Sequence, residues 1–179
     1  MHKDLPNRIS ILRIILSVGL LFVIDYKIVF AGMVLLIGIS DVADGYIARR
    51  YNLATLKGAR LDSMADLVFF AVIFFVVLVK YWWILTNNLP VLLIILGIKI
   101  LTNVISKMKF GEYALLHTVA NKVIGVIIFL FLLTLPFEFN GTAITWVFIL
   151  AIIPAIEELG IILYTKKFNP NQKSIFDQI

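Results

Sequence analysis

The chain has no cysteine. That excludes a disulfide framework and a thiolate metal site. It is also poor in charge: 15% of its 179 residues are Asp, Glu, Lys or Arg, against roughly 25% in a soluble protein. What remains is apolar. Hydrophobic residues make up 61% of the chain and the mean hydropathy is +1.02, a membrane composition. The net charge of +5 raises the question of nucleic acid. Its basic residues are scattered over several loops rather than clustered, so no nucleic-acid partner is expected. The opening residues Met1-His2-Lys3-Asp4-Leu5-Pro6-Asn7-Arg8 run into an apolar stretch without a small-residue cleavage pattern. A cleavable signal peptide is therefore not expected.

Six apolar segments, 9–25, 28–48, 62–80, 89–107, 114–136 and 142–165, each come near the roughly 17 to 25 residues that cross a bilayer. Backbone groups in lipid must be satisfied within the segment, so an all-α, six-helix polytopic membrane protein is expected. The joins are too short for a separate domain. One membrane domain over 1–179 is expected, with 166–179 as a frayed or interfacial cytoplasmic tail. No internal repeat stands out. With the N-terminus inside, thirteen Lys and Arg fall at inner ends, while only Lys27 and Lys80 fall at outer joins and Lys99 lies mid-span. The positive-inside rule then puts both termini on the cytoplasmic side.

Four of the eleven acidic residues fall in one short stretch. From residue 41 the chain reads Asp41-x2-Asp44-Gly45-x2-Ala48-Arg49-x8-Gly58-x3-Asp62-x3-Asp66. Helical spacing puts Asp41 and Asp44 on one face, three apart, and Asp62 and Asp66 on another, four apart. An antiparallel pair of helices joined by a short turn brings those faces together. Four carboxylates cannot crowd together ionised without a counter-charge. Intramembrane ionisable groups are costly and are read as functional. Hard oxygen donors suit Mg2+, Mn2+ or Ca2+, and four are enough for two ions of the kind that promote in-line attack at phosphorus. Gly45, Ala48 and Gly58 leave room for a ligand near the backbone, and Arg49 forks onto phosphate oxygens.

This array resembles the signature of the CDP-alcohol phosphotransferase (CDP-alcohol phosphatidyltransferase) family at every specified position. The resemblance implies a six-helix membrane protein, usually a homodimer, in phospholipid biosynthesis. It implies that an acceptor hydroxyl attacks the lipid-bearing phosphorus of a CDP-linked lipid such as CDP-diacylglycerol, and that CMP leaves. It further implies that Asp41, Asp44, Asp62 and Asp66 hold two divalent cations, Mg2+ or Mn2+. Asp66 would also act as general base on the acceptor, and Gly45, Ala48, Arg49 and Gly58 would line the CDP pocket.

The flanks are similar to phosphatidylglycerophosphate synthases in the N-terminal third. Leu5-Pro6-Asn7-Arg8-Ile9-Ser10-Ile11-Leu12-Arg13 resembles their opening pattern, which adds Asn7 and Arg13 to the CDP-lipid pocket. For Arg13 the bland alternative is snorkelling to the interface. Ser63 stands where a proline is common and Leu67 where a lysine is common. The Arg-Glu-Phe and Gly-Lys-x-Lys-Thr elements of that subgroup are missing. In their place Lys107, Lys109, His117, Asn121 and Lys122, with Arg60, make a set for an anionic acceptor. Glycerol 3-phosphate is the best single acceptor, with inositol phosphate, serine or another small alcohol open. Lys107 and Lys109 also read as ordinary inner-loop charges.

Lys99 lies mid-span, and Glu157 and Glu158 lie in the inner half of the sixth segment, so a structural Lys–Glu ion pair is expected. Tyr81, Trp82 and Trp83 read as an interfacial belt. A cation transporter is the rival of another class, since intramembrane acids also mark ion paths. The acids cluster toward one side, however, and no pair of interrupted helices or inverted repeat is visible.

Overall fold

The computed structural model describes residues 5–51, 53, 55–114, 116, 118–137, 141–165, 168, 169, 172 and 174, apart from the side chains of Leu5, Pro6 and Arg49. Every regular element among these residues is helical. They are α1 (Leu5–Gly19), α2 (Lys27–Arg50), α3 (Leu56–Lys80), α4 (Trp82–Asn87), α5 (Leu89–Phe110), α6 (Val119–Thr134) and α7 (Gly141–Tyr164). Short 3-10 turns, Leu20–Phe22 and Leu135–Phe137, follow α1 and α6.

Five stretches are long and apolar enough to cross a membrane: Lys27–Ala48, Leu56–Lys80, Leu89–Phe110, Val119–Phe137 and Gly141–Tyr164. No more than 28% of any of their apolar windows is buried inside the chain. Large hydrophobic side chains such as Ile15, Leu36, Ile39, Phe70, Leu93 and Ile153 point outward. An aqueous surface does not carry that much exposed apolar area. A bilayer does, so the chain is an integral membrane protein.

The chain divides into two compact units, residues 1–82 with 131–139, and residues 83–130 with 140–179. In the first unit α1 packs on both α2 and α3. Its core is Leu20, Phe30, Val34, Ile37, Ala65, Phe69, Val72, Ile73 and Val76. Lys80, in the last turn of α3, pairs with the Asp25 carboxylate and donates to the Ile24 carbonyl at 3.3 Å. That fastens the end of α3 to the turn before α2.

In the second unit α5 packs on α7. The predicted ion pair is present: Lys99 Nζ lies 2.6 Å from Glu158 Oε2. Asn121 Nδ2 donates to the other oxygen of Glu158, so this nearly buried carboxylate is doubly satisfied. Four residues of the C-terminal segment, Phe168, Asn169, Gln172 and Ser174, are described. Phe168 joins Ile161, Ile162, Ala114 and Leu116, and Ser174 Oγ donates to Glu157 Oε1 at 3.0 Å.

Several boundaries differ from the hydropathy reading: α1 is Leu5–Gly19 rather than 9–25, α5 runs on to Phe110, and the starts of α3 and α6 also move. α3 begins at Leu56 rather than 62, because Thr55 caps it by accepting the Gly58 N–H at 3.0 Å. The polar first turn, with Lys57 and Arg60, hides that start from an apolar count. α6 begins at Val119 rather than 114. Gly111, at φ 77°, ends α5 in a left-handed conformation open to glycine. The residues after it are held by side chains: Ser106 donates to the Glu112 carbonyl at 2.8 Å, Asn103 accepts the Ala114 N–H at 3.1 Å, and Asn121 donates to the Leu116 carbonyl at 3.1 Å. Polar side chains thus replace the helical ladder where the sequence is apolar.

Candidate active site

All four aspartates of the array lie in the first unit, on the adjoining ends of α2 and α3. The fifth member comes from α1. Arg13 is 1% exposed, and its guanidinium touches every one of the four. Nη1 donates to Asp41 Oδ1 and, at 3.0 Å, to Asp66 Oδ1. Nη2 donates to Asp44 Oδ2 and, at 2.9 Å, to Asp62 Oδ1. Each terminal nitrogen therefore joins one carboxylate of α2 to one of α3. The snorkelling alternative does not hold: charge complementarity draws the guanidinium inward.

The carboxylates are not equivalent. Asp44 is 5% exposed, while Asp41, Asp62 and Asp66 are 50%, 47% and 48% exposed. Asp44 also accepts from Ser10 Oγ at 3.1 Å, one turn before Arg13 on α1. The other three each offer an oxygen within 4.8 Å of one another. An all-carboxylate donor set at that spacing is what hard divalent cations take, and a positive group already sits among them. The residues present fit a divalent cation.

Next to the acids is a cleft of about 250 Å³ lined by Asn7, Ser10, Asp44, Gly45, Ala48, Leu53, Thr55, Gly58, Ala59 and Asp62. The expected pocket residues Asn7, Gly45, Ala48 and Gly58 thus come together, and Asp44 and Asp62 belong to both cleft and acid cluster. A Cβ on Gly58 would lie 2.9 Å from Asn7 Oδ1 and 3.2 Å from Thr55 Oγ1. Only a glycine leaves that corner open. The Arg49 side chain lies outside the described set.

The residues expected to bind the acceptor fall in both units. Arg60 is exposed on α3. The others belong to the second unit, where most have local partners. Lys107 Nζ donates to the Gly111 carbonyl at 2.7 Å and lies over the Tyr113 ring. Lys109 Nζ donates to the carbonyls of Ile162 and Leu163 at 3.0 and 2.8 Å, and Asn121 serves Glu158 and Leu116. Lys122 is exposed, and His117 lies outside the described residues.

Sequence reasoning missed Ser10 and Thr55. Both had a signal. Ser10 is three residues before Arg13 and so on the same helix face, and Thr55 stands at the start of a helix where Thr is a preferred cap.

A family model described as CDP-alcohol phosphatidyltransferase matches residues 3–157. Among curated proteins, the chain is similar to a CDP-diacylglycerol--glycerol-3-phosphate 3-phosphatidyltransferase of Rickettsia typhi, 42% identical over 69 residues, covering 36% of this chain and 39% of that one. A protein of the same name from Salmonella choleraesuis is 34% identical over 91 residues, 47% of this chain and 50% of that one. A cardiolipin synthase (CMP-forming) / mitochondrial hydrolase fusion protein of Schizosaccharomyces pombe is 36% identical over 64 residues, 35% of this chain and 11% of that one. The matched stretch thus spans half or less of each of these relatives. No solved structure matches the chain.

Proposed function

The chain belongs to the CDP-alcohol phosphatidyltransferase family, and from that premise we propose that it transfers a phosphatidyl group from a CDP-linked lipid to a small alcohol in the membrane. The observation that carries this reading is the convergence of four aspartates from two helices beside a cleft that Gly58 keeps open.

The cleft holds the CDP end of the donor, with Asn7, Gly45, Ala48, Arg49 and Gly58 around it. The aspartates would hold two divalent cations, Mg2+ or Mn2+, which would supply charge neutralisation at the diphosphate. Asp66, half exposed, accepts the proton of the acceptor hydroxyl. The acceptor oxygen then forms a bond to the lipid-bearing phosphorus, the diphosphate P–O bond breaks, and CMP leaves with the electron pair. Positioning and charge neutralisation supply most of the acceleration in such transfers.

Glycerol 3-phosphate is the acceptor in this reading. The names of the two bacterial relatives support it. Arg60, Lys107, Lys109, His117, Asn121 and Lys122 make up the proposed acceptor set. The protein works as a homodimer with six spans, as one domain, with both termini and the active site on the cytoplasmic side of the cytoplasmic membrane. α1 is the sixth span: fifteen helical residues rise about 22 Å, and the three-residue 3-10 turn adds about 6 Å.

The test is CMP release by the purified protein from CDP-diacylglycerol with Mg2+ or Mn2+. Glycerol 3-phosphate, inositol phosphate, inositol, serine and glycerol are supplied one at a time. Release with glycerol 3-phosphate alone is expected. Release with a different acceptor keeps the chemistry and replaces the acceptor. No release, and no protection from heat by a CDP-lipid, rejects the reading.

A further inference from the structure

We propose that Arg13 is a built-in cation of the aspartate site. It holds the four carboxylates together while divalent ions are away, and it yields them when the ions and the donor's phosphates arrive. This inference rests on the metal-dependent reading above and assigns Arg13 a role that changes between the two states.

The argument begins with hydrogen-bond supply. A guanidinium has five N–H donors in a fixed fork. Here the two terminal nitrogens serve four carboxylates from two helices. Nε is buried and has no hydrogen-bond partner among the described residues. An arginine placed for a single best ion pair would turn Nε and one terminal nitrogen onto the same carboxylate. Arg13 leaves a buried donor unused and occupies the hub, where it reaches all four acids.

The second step is charge. One guanidinium against four ionised carboxylates leaves three negative charges uncompensated. Like charges held this close repel one another even when half exposed. Arg13 therefore reduces the repulsion without cancelling it, and the cluster keeps a strong attraction for further cations. Two divalent ions would balance the four carboxylates by themselves. The guanidinium would then be a surplus positive charge among cations, competing for the same carboxylates.

The third step is where it goes. Asp44 and Asp62 line the cleft as well as the acid cluster, and Ser10, on the same face of α1 as Arg13, lines it too. A guanidinium released from the acids is thus next to the space proposed for the diphosphate, and phosphate oxygens take the same fork that carboxylates do. Arg13 exchanges one set of oxyanions for another. Its positive charge follows the charge balance of the site, so that the metal-free site stays folded and the loaded site gains a phosphate ligand.

The experiment uses the full chain in detergent as wild type, Arg13→Gln and Arg13→Lys. Free Mn2+ is titrated by electron paramagnetic resonance without substrate, and thermal unfolding is followed in EDTA and in saturating Mn2+. Arg13→Gln is expected to bind Mn2+ about tenfold more tightly than wild type, because the competing charge is gone. It should unfold at a lower temperature in EDTA, with most of that deficit removed by Mn2+. Arg13→Lys, a point charge that cannot span four acids, should fall between. With Mn2+ present, CDP-diacylglycerol should bind Arg13→Gln more weakly than wild type. Unchanged or weaker Mn2+ binding in both variants overturns the proposal, as does an Arg13→Gln protein that fails to fold even in saturating Mn2+. A wild type that binds neither Mn2+ nor CDP-diacylglycerol instead rejects the metal-dependent reading itself.

Discussion

Asn7 Oδ1 lies 2.9 Å from the point where a Cβ on Gly58 would stand, so the first turns of α1 and α3 close one corner of the cleft between them. Gly58→Ala tests what that corner is for. In a helix, alanine is favoured over glycine by up to about 1 kcal/mol. The added methyl must nevertheless push aside Asn7 or Thr55. The KM for the CDP-lipid is expected to rise about tenfold while the unfolding temperature holds or increases. An unchanged KM would remove this corner from the donor site.

Asp66→Asn keeps the shape of the side chain and removes its capacity to take a proton. Turnover is expected to fall by about 10²-fold or more, with CDP-lipid binding retained. Binding is read by protection from thermal unfolding in the presence of Mg2+. Near-normal turnover would transfer the base role to another residue.

Asp44 and Asp41 stand at matching places in the array but differ in setting, the first buried against Ser10 and Arg13 and the second half exposed. Asp44→Ala takes a buried acceptor away from Ser10 and Arg13, which costs about 3 kcal/mol. Asp41→Ala gives up an exposed ion pair worth about 1 kcal/mol or less and relieves repulsion among the remaining carboxylates, so stability should hold or rise. Chemical denaturation in detergent micelles, without added metal, measures both. Equal losses would mean that burial does not separate the two.

Glu158 holds Lys99 and Asn121 at once. Glu158→Gln is expected to destabilise the second unit by about 2–4 kcal/mol. A double-mutant cycle with Lys99→Met should show coupling of at least about 1 kcal/mol. Simple additivity would show the contact to be energetically idle.

The site was more legible than its surroundings. The faces of Asp41 and Asp44, and of Asp62 and Asp66, follow from helical spacing alone, so their clustering could be read from the chain. The pairing of Lys99 with Glu158 was legible for a similar reason, since each is costly mid-span without the other. The destination of Arg13 was not legible. It depends on how α1 is rotated against α2 and α3, and packing decides that. The start of α6 was hidden because Ala114 and Leu116 are apolar while their backbone is held by Asn103 and Asn121. Lys107 and Lys109 were singled out for charge alone, and their donation to nearby carbonyl groups depends on where the chain turns back, which their spacing does not give.

Lys80 pins the far end of α3 to Asp25 and Ile24. From Asp62 to Lys80 the helix rises about 27 Å at 1.5 Å per residue. Taken about that contact, α3 is a long arm with the acids near its other end. A tilt of about 1° over that length swings the acidic end by about 0.5 Å, a step that matters to a metal–oxygen distance. A contact at the end of α3 farthest from the acids thus bears on their spacing, and loosening Lys80 or Asp25 would be felt at the carboxylates without touching them.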